Sequence, residues 1–384
     1  MLNKKLKVGL VGLRFGGEFP PIYRDHPDVE SVTLCELNKD MLKEYARKFS
    51  FEKTVDSFDE LLASDVDAIH VVTGIPNHAE LVIKALNAGK HVACTVPMAT
   101  TIEDMYKIIE AQKKSGKNYM MMETSMYTFQ CFYAKELIDS GKLGRIQYLR
   151  GTHFQDMEAW PDYWMGLPPF WYATHAVAPL LYLSNTYATR VQCFGSGVMR
   201  DELKTQYGNP FPIEHAMIEL NDPDLKAEIS RSLFHTAIGY VEGFTVLGEK
   251  MSFEWDIEEE DPYIHSIQFK DGEDVLNSYG RGRDIAIDRV HCPDRADLLP
   301  ESIRPYTYQH TILDPDNPSK HIKQGGGHHG SHPHMIHEFV RSIIEERKPI
   351  VDAVTAARWT AVGVCAHESA MKGGVPVDVP SFDD

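Results

Sequence analysis

A glycine-rich turn directly after an apolar run constrains this chain more than any other stretch. The run from Leu6 to Val11 predicts a buried strand, and the glycines that follow predict a tight turn into a helix. In the dinucleotide-binding fingerprint Gly-x-Gly-x-x-Gly, such a turn places a pyrophosphate at the N-terminus of the helix. Here an arginine occupies the second glycine position. The candidate cofactor-binding residues of the turn are Gly12, Arg14, Phe15, Gly16 and Gly17.

The arginine leaves two alternatives open. A side chain at position 14 fills space that phosphate normally occupies, unless the guanidinium itself pairs with a phosphate oxygen. A second apolar run, 29–35, ends in Glu36, which lies 24 residues beyond Gly12 (36 − 12). The fingerprint places an acid roughly 20 residues beyond its first glycine. A carboxylate there accepts from a ribose 2′-hydroxyl and repels a 2′-phosphate, which favours NAD over NADP. The alternative for Glu36 is an ordinary solvated acid at a strand end.

Composition excludes several classes of partner. The chain has 384 residues, enough for two domains, and a formal charge of −17 argues against nucleic acid and anionic membrane as partners. The six cysteines are scattered without a CxxC pair, which fits a reducing compartment. Since no run reaches the roughly 20 apolar residues that span a bilayer, the sequence predicts a cytoplasmic protein.

The order of predicted elements indicates an α/β fold with two domains. Strands and helices alternate up to about Glu123, which predicts a Rossmann domain, 1–124, with a doubly wound parallel sheet. Its strands carry Gly12, Glu36, Thr73, Thr95 and Glu123 at their carboxyl ends, so these residues should line one crevice. Six consecutive strand-like runs then predict an α+β domain, 125–384, with a large open, mainly antiparallel sheet. The polar stretch 271–330 predicts a long loop and a candidate lid.

Three motifs resemble those of the glucose–fructose oxidoreductase / inositol dehydrogenase (Gfo/Idh/MocA) family. They are Gly74-Ile-Pro-Asn-His-Ala79, Ala88-Gly-Lys-His-Val-Ala-Cys-Thr-Val-Pro97 and Trp359-Thr-Ala-x-Gly-x-x-Ala-His-Glu-Ser369. The resemblance implies NAD(P)-dependent oxidation or reduction of a hydroxyl or ketone on sugars, inositols or similar polyols. It also implies that the C-terminal sheet serves substrate binding and oligomer contacts. Thr73, Asn77 and His78 should border the nicotinamide half of the dinucleotide, although a plain helix N-cap is equally compatible with Asn77.

Two departures from the family pattern concern the chemistry. Family dehydrogenases typically carry Glu-Lys-Pro, whose lysine donates to the reacting oxygen, whereas this chain has Thr95-Val96-Pro97 at the cofactor. The family's Asp-x-Gly-x-His is replaced by Trp171-Tyr-Ala-Thr-His175. With Met121-Met-Glu-Thr124, these features resemble a branch that includes NAD-dependent α-N-acetylgalactosaminidases. Those glycosidases oxidise the sugar at C3, eliminate the aglycone, add water and reduce the ketone again.

Without the lysine, another group must take the hydroxyl proton of a carbinol. His175 and Tyr172 are the candidate catalytic pair, since residues three apart on a helix project from one face. A satisfied core histidine beside a packing tyrosine is the alternative. Glu123 is a third candidate, for the nicotinamide ribose or a sugar hydroxyl, or else it caps the following turn.

Aromatic and acidic side chains crowd the connection before His175 and suit a carbohydrate, although aromatics are more often core or subunit interface. The histidine cluster 328–334 lacks the spacing of a zinc site, so we predict no metal. We expect Ser331 to cap a helix and one of two histidines to point into the substrate cleft. The candidate substrate-binding residues are Trp160, Trp164, Trp171, Tyr172, His328 and His329.

Three functional hypotheses follow. The first is a sugar or polyol dehydrogenase that uses NAD, with the reaction in the cleft between the two domains. The second is a glycosidase that recycles its NAD, and the third is a nucleotide-binding protein without redox activity. In each case we expect a homo-oligomer, a dimer or a tetramer, formed through the C-terminal sheet.

Overall fold

The structure, a computed structural model, describes residues 5–257, 260–269, 283–315 and 317–383, without the side chains of residues 269, 283 and 318. The chain divides into two compact units. The first contains 1–128, 294–361 and 382–384, and the second contains 129–293 and 362–381. This division differs from a single boundary near residue 125, because the later segments bond to the first sheet. For example, the Met121 amide donates to the Val351 carbonyl at 3.1 Å.

The first unit is built on a six-stranded parallel sheet of order β3-β2-β1-β4-β5-β6. This order is that of a doubly wound dinucleotide-binding fold, whose ligands lie beyond the carboxyl ends of the strands. The predicted fold class is therefore confirmed. The strands are β1 Leu6–Val11, β2 Val29–Cys35, β3 Lys53–Val55, β4 Ala68–Val71, β5 His91–Thr95 and β6 Tyr119–Met122, and the helices are α1 Pro20–Asp25, α2 Lys39–Phe49, α3 Phe58–Ala63, α4 His78–Asn87 and α5 Ile102–Ser115.

Side chains at the helix N-termini explain where these helices begin. Ser57 accepts from the Glu60 amide at 3.2 Å and so caps α3. Thr101 caps α5 in the same way and accepts from the Asp104 amide at 3.1 Å. Asn77 occupies the N-cap position of α4, but its side chain makes no capping hydrogen bond there.

The second unit contains a nine-stranded sheet of order β14-β13-β12-β11-β7-β10-β9-β8-β17. All its neighbouring strands are antiparallel except β10 and β7. The strands are β7 Ile146–Phe154, β8 Ala188–Ser196, β9 Ile213–Leu220, β10 Lys226–Ser232, β11 Val241–Gly248, β12 Met251–Trp255, β13 Tyr263–Phe269, β14 Arg283–Arg289 and β17 Val377–Asp378, and the helices are α6 Phe129–Asp139 and α7 Thr174–Ser184.

Helix α7 packs against the middle of this sheet because β7 carries a glycine at the crossing point. A Cβ atom on Gly151 would lie 2.2 Å from the carbonyl oxygen of Ala176 in α7. The helix therefore holds its first turn directly over the strands.

The segment predicted as a long loop, 271–330, is largely folded where the structure describes it. Residues 270–282 lie outside the described part. Beyond them come β14, the 3₁₀ helices Ala296–Leu298 and Glu301–Thr307, and a hairpin of β15 His310–Asp314 and β16 Asn317–Gln324. The alternation of Ile285 and Ile287 was the sequence signal for β14. The helices α8 Gly327–Ile344 and α9 Ala353–Met371 follow.

None of the described helices combines the length and the apolar character needed to cross a bilayer.

Three buried histidines of the first unit determine how its stability responds to acid. His26, His70 and His334 are 1%, 0% and 5% exposed. Burial lowers the pKa of their imidazoles to about 4, 3 and 4. In the unfolded chain these groups titrate near about 6.5, so below that pH the unfolded state binds more protons than the folded state. Their stabilising contribution is therefore complete above about pH 6.5 and falls as the pH drops towards 4.

We expect the free energy of unfolding to fall by about 1.4 kcal/mol per pH unit for each of these histidines below about pH 6.5. Urea unfolding at several pH values measures this slope. His70→Gln removes one titrating group and should make the slope shallower, whereas His291→Gln, at a solvent-exposed ring, should leave it unchanged. Equal slopes for all three proteins would refute the assignment.

Candidate active site

The glycine-rich turn has the geometry of a dinucleotide-binding loop. Gly12 has φ +94°, and a Cβ there would lie 2.1 Å from the Val72 carbonyl oxygen, so only glycine fits. A Cβ on Gly16 would lie 2.9 Å from the Val72 Cβ, so Gly16 provides the close packing that the fingerprint assigns to its third glycine. Gly17 instead lies against the Tyr45 ring.

Glu36 is fixed at this turn by backbone amides. Its Oε2 accepts from the Leu13 amide at 2.9 Å, and its Oε1 accepts from the Asn38 amide at 3.0 Å. Each carboxylate oxygen has a second lone pair with which to accept from a ribose hydroxyl. The side chain of Arg14 is exposed, and Phe15 is 44% exposed. The loop therefore fits a dinucleotide, with an arginine at its surface.

The residues after β4 supply a second observation that fits a dinucleotide. Thr73 Oγ1 is buried and has no hydrogen-bond partner among the described residues, as expected of a hydroxyl at a ligand site. His78 is buried, with Nδ1 2.8 Å from the Pro97 carbonyl oxygen and Nε2 3.1 Å from the Thr73 carbonyl oxygen, and the neutral ring donates to one of the two. Burial lowers the pKa of His78. Its ring thus ties together the segments that follow β4 and β5.

Three further predicted residues lie after neighbouring strands of the same sheet. Thr95 Oγ1 donates to the Val71 carbonyl at 3.4 Å, and Val96 is buried where the family pattern has lysine. Glu123 is buried after β6, and its Oε1 accepts from the amide and the hydroxyl of Ser125, at 3.0 and 2.8 Å. One oxygen of Glu123 thus caps the following turn.

Removing the charge of Glu36 should change the cofactor preference. We expect Glu36→Gln to raise NADPH affinity relative to NADH affinity by at least about 10-fold, because the variant no longer repels a 2′-phosphate. Isothermal titration with both nucleotides measures the ratio. Asp40→Asn, an exposed carboxylate in the first turn of α2, is the matched control. A ratio that stays at the wild-type value in both variants would remove Glu36 from cofactor selection.

In the second unit, the predicted pair His175 and Tyr172 is in contact. Tyr172 ends a 3₁₀ helix, Pro169–Tyr172, and His175 lies in the first turn of α7. Tyr172 Oη lies 3.3 Å from His175 Nε2, and His175 Nδ1 lies 3.7 Å from Glu242 Oε1. Tyr240 Oη donates to the other Glu242 oxygen at 2.8 Å. A carboxylate, an imidazole and a phenol therefore lie in one series, in which the carboxylate is placed to stabilise a positive charge on the imidazole.

Glu242 also belongs to a row of four buried polar residues on the sheet, which we call the polar row. Its members are Glu214, Arg231, His153 and Glu242. They are register partners on the adjacent strands β9, β10, β7 and β11, so their side chains share one face of the sheet. The polar row holds the segment that carries Tyr172. Glu214 Oε2 accepts from the Phe170 amide at 2.9 Å, and Arg231 Nε donates to the Tyr172 carbonyl at 2.8 Å.

The polar row was not predicted from the sequence, although the strands carry a signal for it. Arg231 shares a strand side with the buried residues Ala227 and Ile229, and Glu242 shares one with Phe244. Since side chains alternate between the two faces of a strand, a charged residue in the apolar phase must be paired or functional.

The predicted substrate-binding residues fall into two groups. In the second unit, the Trp164 ring is buried 4.8 Å from the Tyr172 ring, and Trp160, 51% exposed, lies 6.1 Å from Trp164. The Trp171 ring faces His367 at 5.8 Å. His328 and His329 belong to the first unit.

The N-terminus of α8 carries these two histidines in an unusual backbone. Their φ angles are +43° and +50°, and the His328 ring lies 6.2 Å from the Phe15 ring. His328 is therefore a neighbour of the glycine-rich turn. Ser331 does not cap the helix as predicted, since its buried hydroxyl has no hydrogen-bond partner among the described residues.

Comparison with protein families gives one match. Residues 6–123 match the model of the Gfo/Idh/MocA family, which is described as an oxidoreductase family with an NAD-binding Rossmann fold. The match covers the strands and turns that carry Gly12, Glu36 and Thr73.

Relatives extend the similarity over the rest of the chain. A glycosyl hydrolase family 109 protein of Saccharopolyspora erythraea is 21% identical, covering 99% of this chain and 84% of the relative. Levoglucosan dehydrogenase of Pseudarthrobacter phenanthrenivorans is 30% identical over 41% of this chain and 43% of the relative. A solved structure of levoglucosan dehydrogenase with NADH and levoglucosan superposes with a TM-score of 0.75 at 21% identity, covering 98% of this chain and all of the other.

Proposed function

This chain carries an N-terminal, NAD-binding domain of the Gfo/Idh/MocA oxidoreductase family, residues 6–123, and on that basis we propose that it oxidises or reduces a hydroxyl carbon of a sugar, polyol or glycoside with NAD. The observation that carries the proposal is the series Glu242, His175 and Tyr172. These side chains provide a largely buried acid–base system in a chain that has Val96 in place of the family lysine.

NAD, when bound, supplies a hydride acceptor. Within the first unit, we assign the adenosine ribose to Glu36 and the phosphates to the amides of the glycine-rich turn, with Arg14 and Phe15 at its surface. Thr73 would bond the nicotinamide side, bordered by Asn77, His78 and the segment Thr95-Val96-Pro97. Because Gly12 and Gly16 leave no room for side chains against Val72, the backbone of the turn is accessible to phosphate.

In the second unit, we assign proton transfer to His175 and Tyr172. The imidazole tautomer with Nδ1–H towards Glu242 leaves Nε2 as the acceptor for the phenol proton. Glu123 is the third candidate and would accept from a ribose or sugar hydroxyl. Trp160, Trp164 and Trp171 offer ring faces for a sugar, as do the half-buried rings of His328 and His329 in the first unit.

A second candidate function is a glycosidase that recycles its NAD. Val96 favours it, because Val-Pro in place of Lys-Pro is one of the features in which this chain resembles the branch that includes NAD-dependent α-N-acetylgalactosaminidases. Relatives named glycosyl hydrolase family 109 support the same candidate.

Paired assays separate the two candidates. Purified protein is given a panel of free sugars, polyols and nitrophenyl glycosides, with and without added NAD. NADH accumulation on a free sugar or polyol supports the dehydrogenase. Aglycone release without NADH accumulation supports the glycosidase. Neither signal, together with a melting temperature that still rises on NAD addition, would contradict both and favour a nucleotide-binding protein without redox activity.

We further propose a cytoplasmic location and a homo-oligomer, a dimer or tetramer, formed through the nine-stranded sheet. All six cysteines are free and buried, which suits a reducing compartment. Phe194 and Met217 are exposed apolar side chains on β8 and β9, as expected of a face that another copy covers. Size-exclusion chromatography with light scattering tests the oligomeric state.

A further inference from the structure

Arg231 is an unusual residue for the inside of a sheet. Its side chain is fully buried, and its guanidinium donates only to neutral oxygens: the carbonyls of Tyr172 at 2.8 Å and His153 at 3.0 Å, the Ser232 carbonyl and the Gln155 side chain. No carboxylate in the described part of the chain forms a salt bridge with it. A buried charge without a bonded counter-charge is costly, so an apolar residue would stabilise the fold more cheaply.

The charge is retained next to the candidate acid–base pair. The guanidinium carbon lies 5.5 Å from the centre of the Tyr172 ring. Burial lowers the pKa of Arg231, whereas Glu242 and the two nearby tyrosines favour its charged form. A guanidinium remains protonated inside proteins, so the group carries its charge throughout the range in which tyrosines titrate. At the other end of the series, the carboxylate of Glu242 faces His175.

Opposite charges therefore lie on the two sides of the Tyr172–His175 pair, with Arg231 beside Tyr172 and Glu242 beside His175. A negative charge on Tyr172 would be stabilised by Arg231, and a positive charge on His175 would be stabilised by Glu242. Both effects favour the same proton arrangement, with the phenol proton moved from Tyr172 Oη to His175 Nε2. Within the second unit, the titratable groups that face Tyr172 are His153 from β7, His175 from α7 and Arg231 from β10. Tyr240 and Glu242 from β11 act on Arg231, and Glu242 also faces His175.

We propose that Arg231 is a positioning residue that fixes Tyr172 on the polar row and favours its phenolate, so that Tyr172 accepts the substrate's hydroxyl proton and His175 stores the proton of the phenol. This inference rests on the proposed function. In the resting step, the Tyr172 Oη–H bond breaks and a His175 Nε2–H bond forms. In the reactive step, the hydroxyl O–H bond of the substrate breaks and the Tyr172 Oη–H bond forms again. The imidazolium then releases one proton to solvent.

The geometry explains why a guanidinium is needed. The Nε group bonds the carbonyl of Tyr172, while NH1 bonds the carbonyl of His153 on the adjacent strand. The planar guanidinium therefore fixes the backbone that carries the Tyr172 ring and also places a positive charge beside that ring. A lysine would keep the charge but could not span these carbonyls.

The test measures tyrosine ionisation without any substrate. The ultraviolet titration of wild-type protein minus that of Tyr172→Phe isolates one tyrosine of the 17. We expect its midpoint to rise by at least about one pH unit in Arg231→Gln, where the cation is lost, and by less in Arg231→Lys, where it is kept. Arg150→Gln, on the neighbouring strand β7 and half-exposed, is the matched control and should not move it.

A second measurement holds even if Arg231→Gln fails to fold. Tyr172→Phe removes one oxygen and should lower turnover by at least about 100-fold, with NAD affinity unchanged. Turnover within about threefold of the wild type would overturn the inference, as would an unshifted Tyr172 midpoint in a folded Arg231→Gln protein. If the midpoint depends on Arg231 but the substrate panel gives no product, the inference stands on its titration and the proposed function alone fails.

Discussion

His175→Ala should lower turnover of the carbohydrate substrate by at least about 100-fold, because general acid–base catalysis contributes about 10²- to 10⁴-fold. The imidazole is the middle member of the series between Glu242 and Tyr172, so its loss breaks the proton path at both contacts. NAD affinity should stay within about threefold, since the residue lies in the second unit. Steady-state kinetics and NAD titration together measure both quantities.

The matched control for this variant is His215→Ala. His215 lies on β9, next to Glu214 but on the opposite face of the sheet, where it bonds Ser230 at 2.7 Å. Its removal should leave turnover within about threefold of the wild type. If the two variants behave alike, His175 has no part in the reaction and the loss reflects the sheet.

Gly12→Ala should abolish NAD binding, with a loss of affinity of at least about 100-fold and a lower melting temperature. A methyl group at this φ of +94° would meet the Val72 carbonyl oxygen at 2.1 Å. That carbonyl cannot retreat easily, because the amide of the same residue bonds β1 at Val11. The turn must therefore open, and the amides that face the phosphates move with it.

Gly89→Ala is the control for Gly12→Ala, because it places a side chain at a positive φ without a steric clash. Gly89 also has a positive φ, +74°, but a Cβ there meets nothing within 4 Å. This variant should lose only about 1 kcal/mol of stability and bind NAD as the wild type does. Wild-type NAD affinity in Gly12→Ala would show that the turn does not contact the cofactor.

The parts of the molecule that were predictable are those with local signals. The turn at Gly12 and the acid at Glu36 lie on consecutive strands, so their spacing along the chain already fixes their proximity in space. Likewise, His175 and Tyr172 are close in sequence, and a helical repeat would bring them together. The two side chains are in contact, but not as members of one helix, since Tyr172 lies in a 3₁₀ helix just before α7.

The polar row could not be derived in the same way. Its members come from four strands that are far apart along the chain, and β10 pairs with β7 in parallel although the neighbouring pairs are antiparallel. Only the register of these strands shows that Arg231 and Glu242 flank His153. The sequence can indicate that each of them is buried, but not which of them are neighbours.

The return of the chain to the first unit could not be predicted from the sequence either. Residues 294–361 pack with the first sheet, yet they carry no motif that names that sheet as their partner. Hydrophobic periodicity can indicate that a segment is helical, but not which surface the helix covers.

The first unit is formed from segments that are far apart along the chain, and this affects the order in which the protein can fold during synthesis. A ribosome releases residues 1–128 first, then the whole of 129–293, and only afterwards the segment that completes the nucleotide-binding half. Until then the Met121 amide at the sheet edge lacks the Val351 carbonyl, and the core that α8 covers stays open to water. The half that emerges first is therefore finished last, and its sheet edge and core stay exposed on the nascent chain until the later segment has been made.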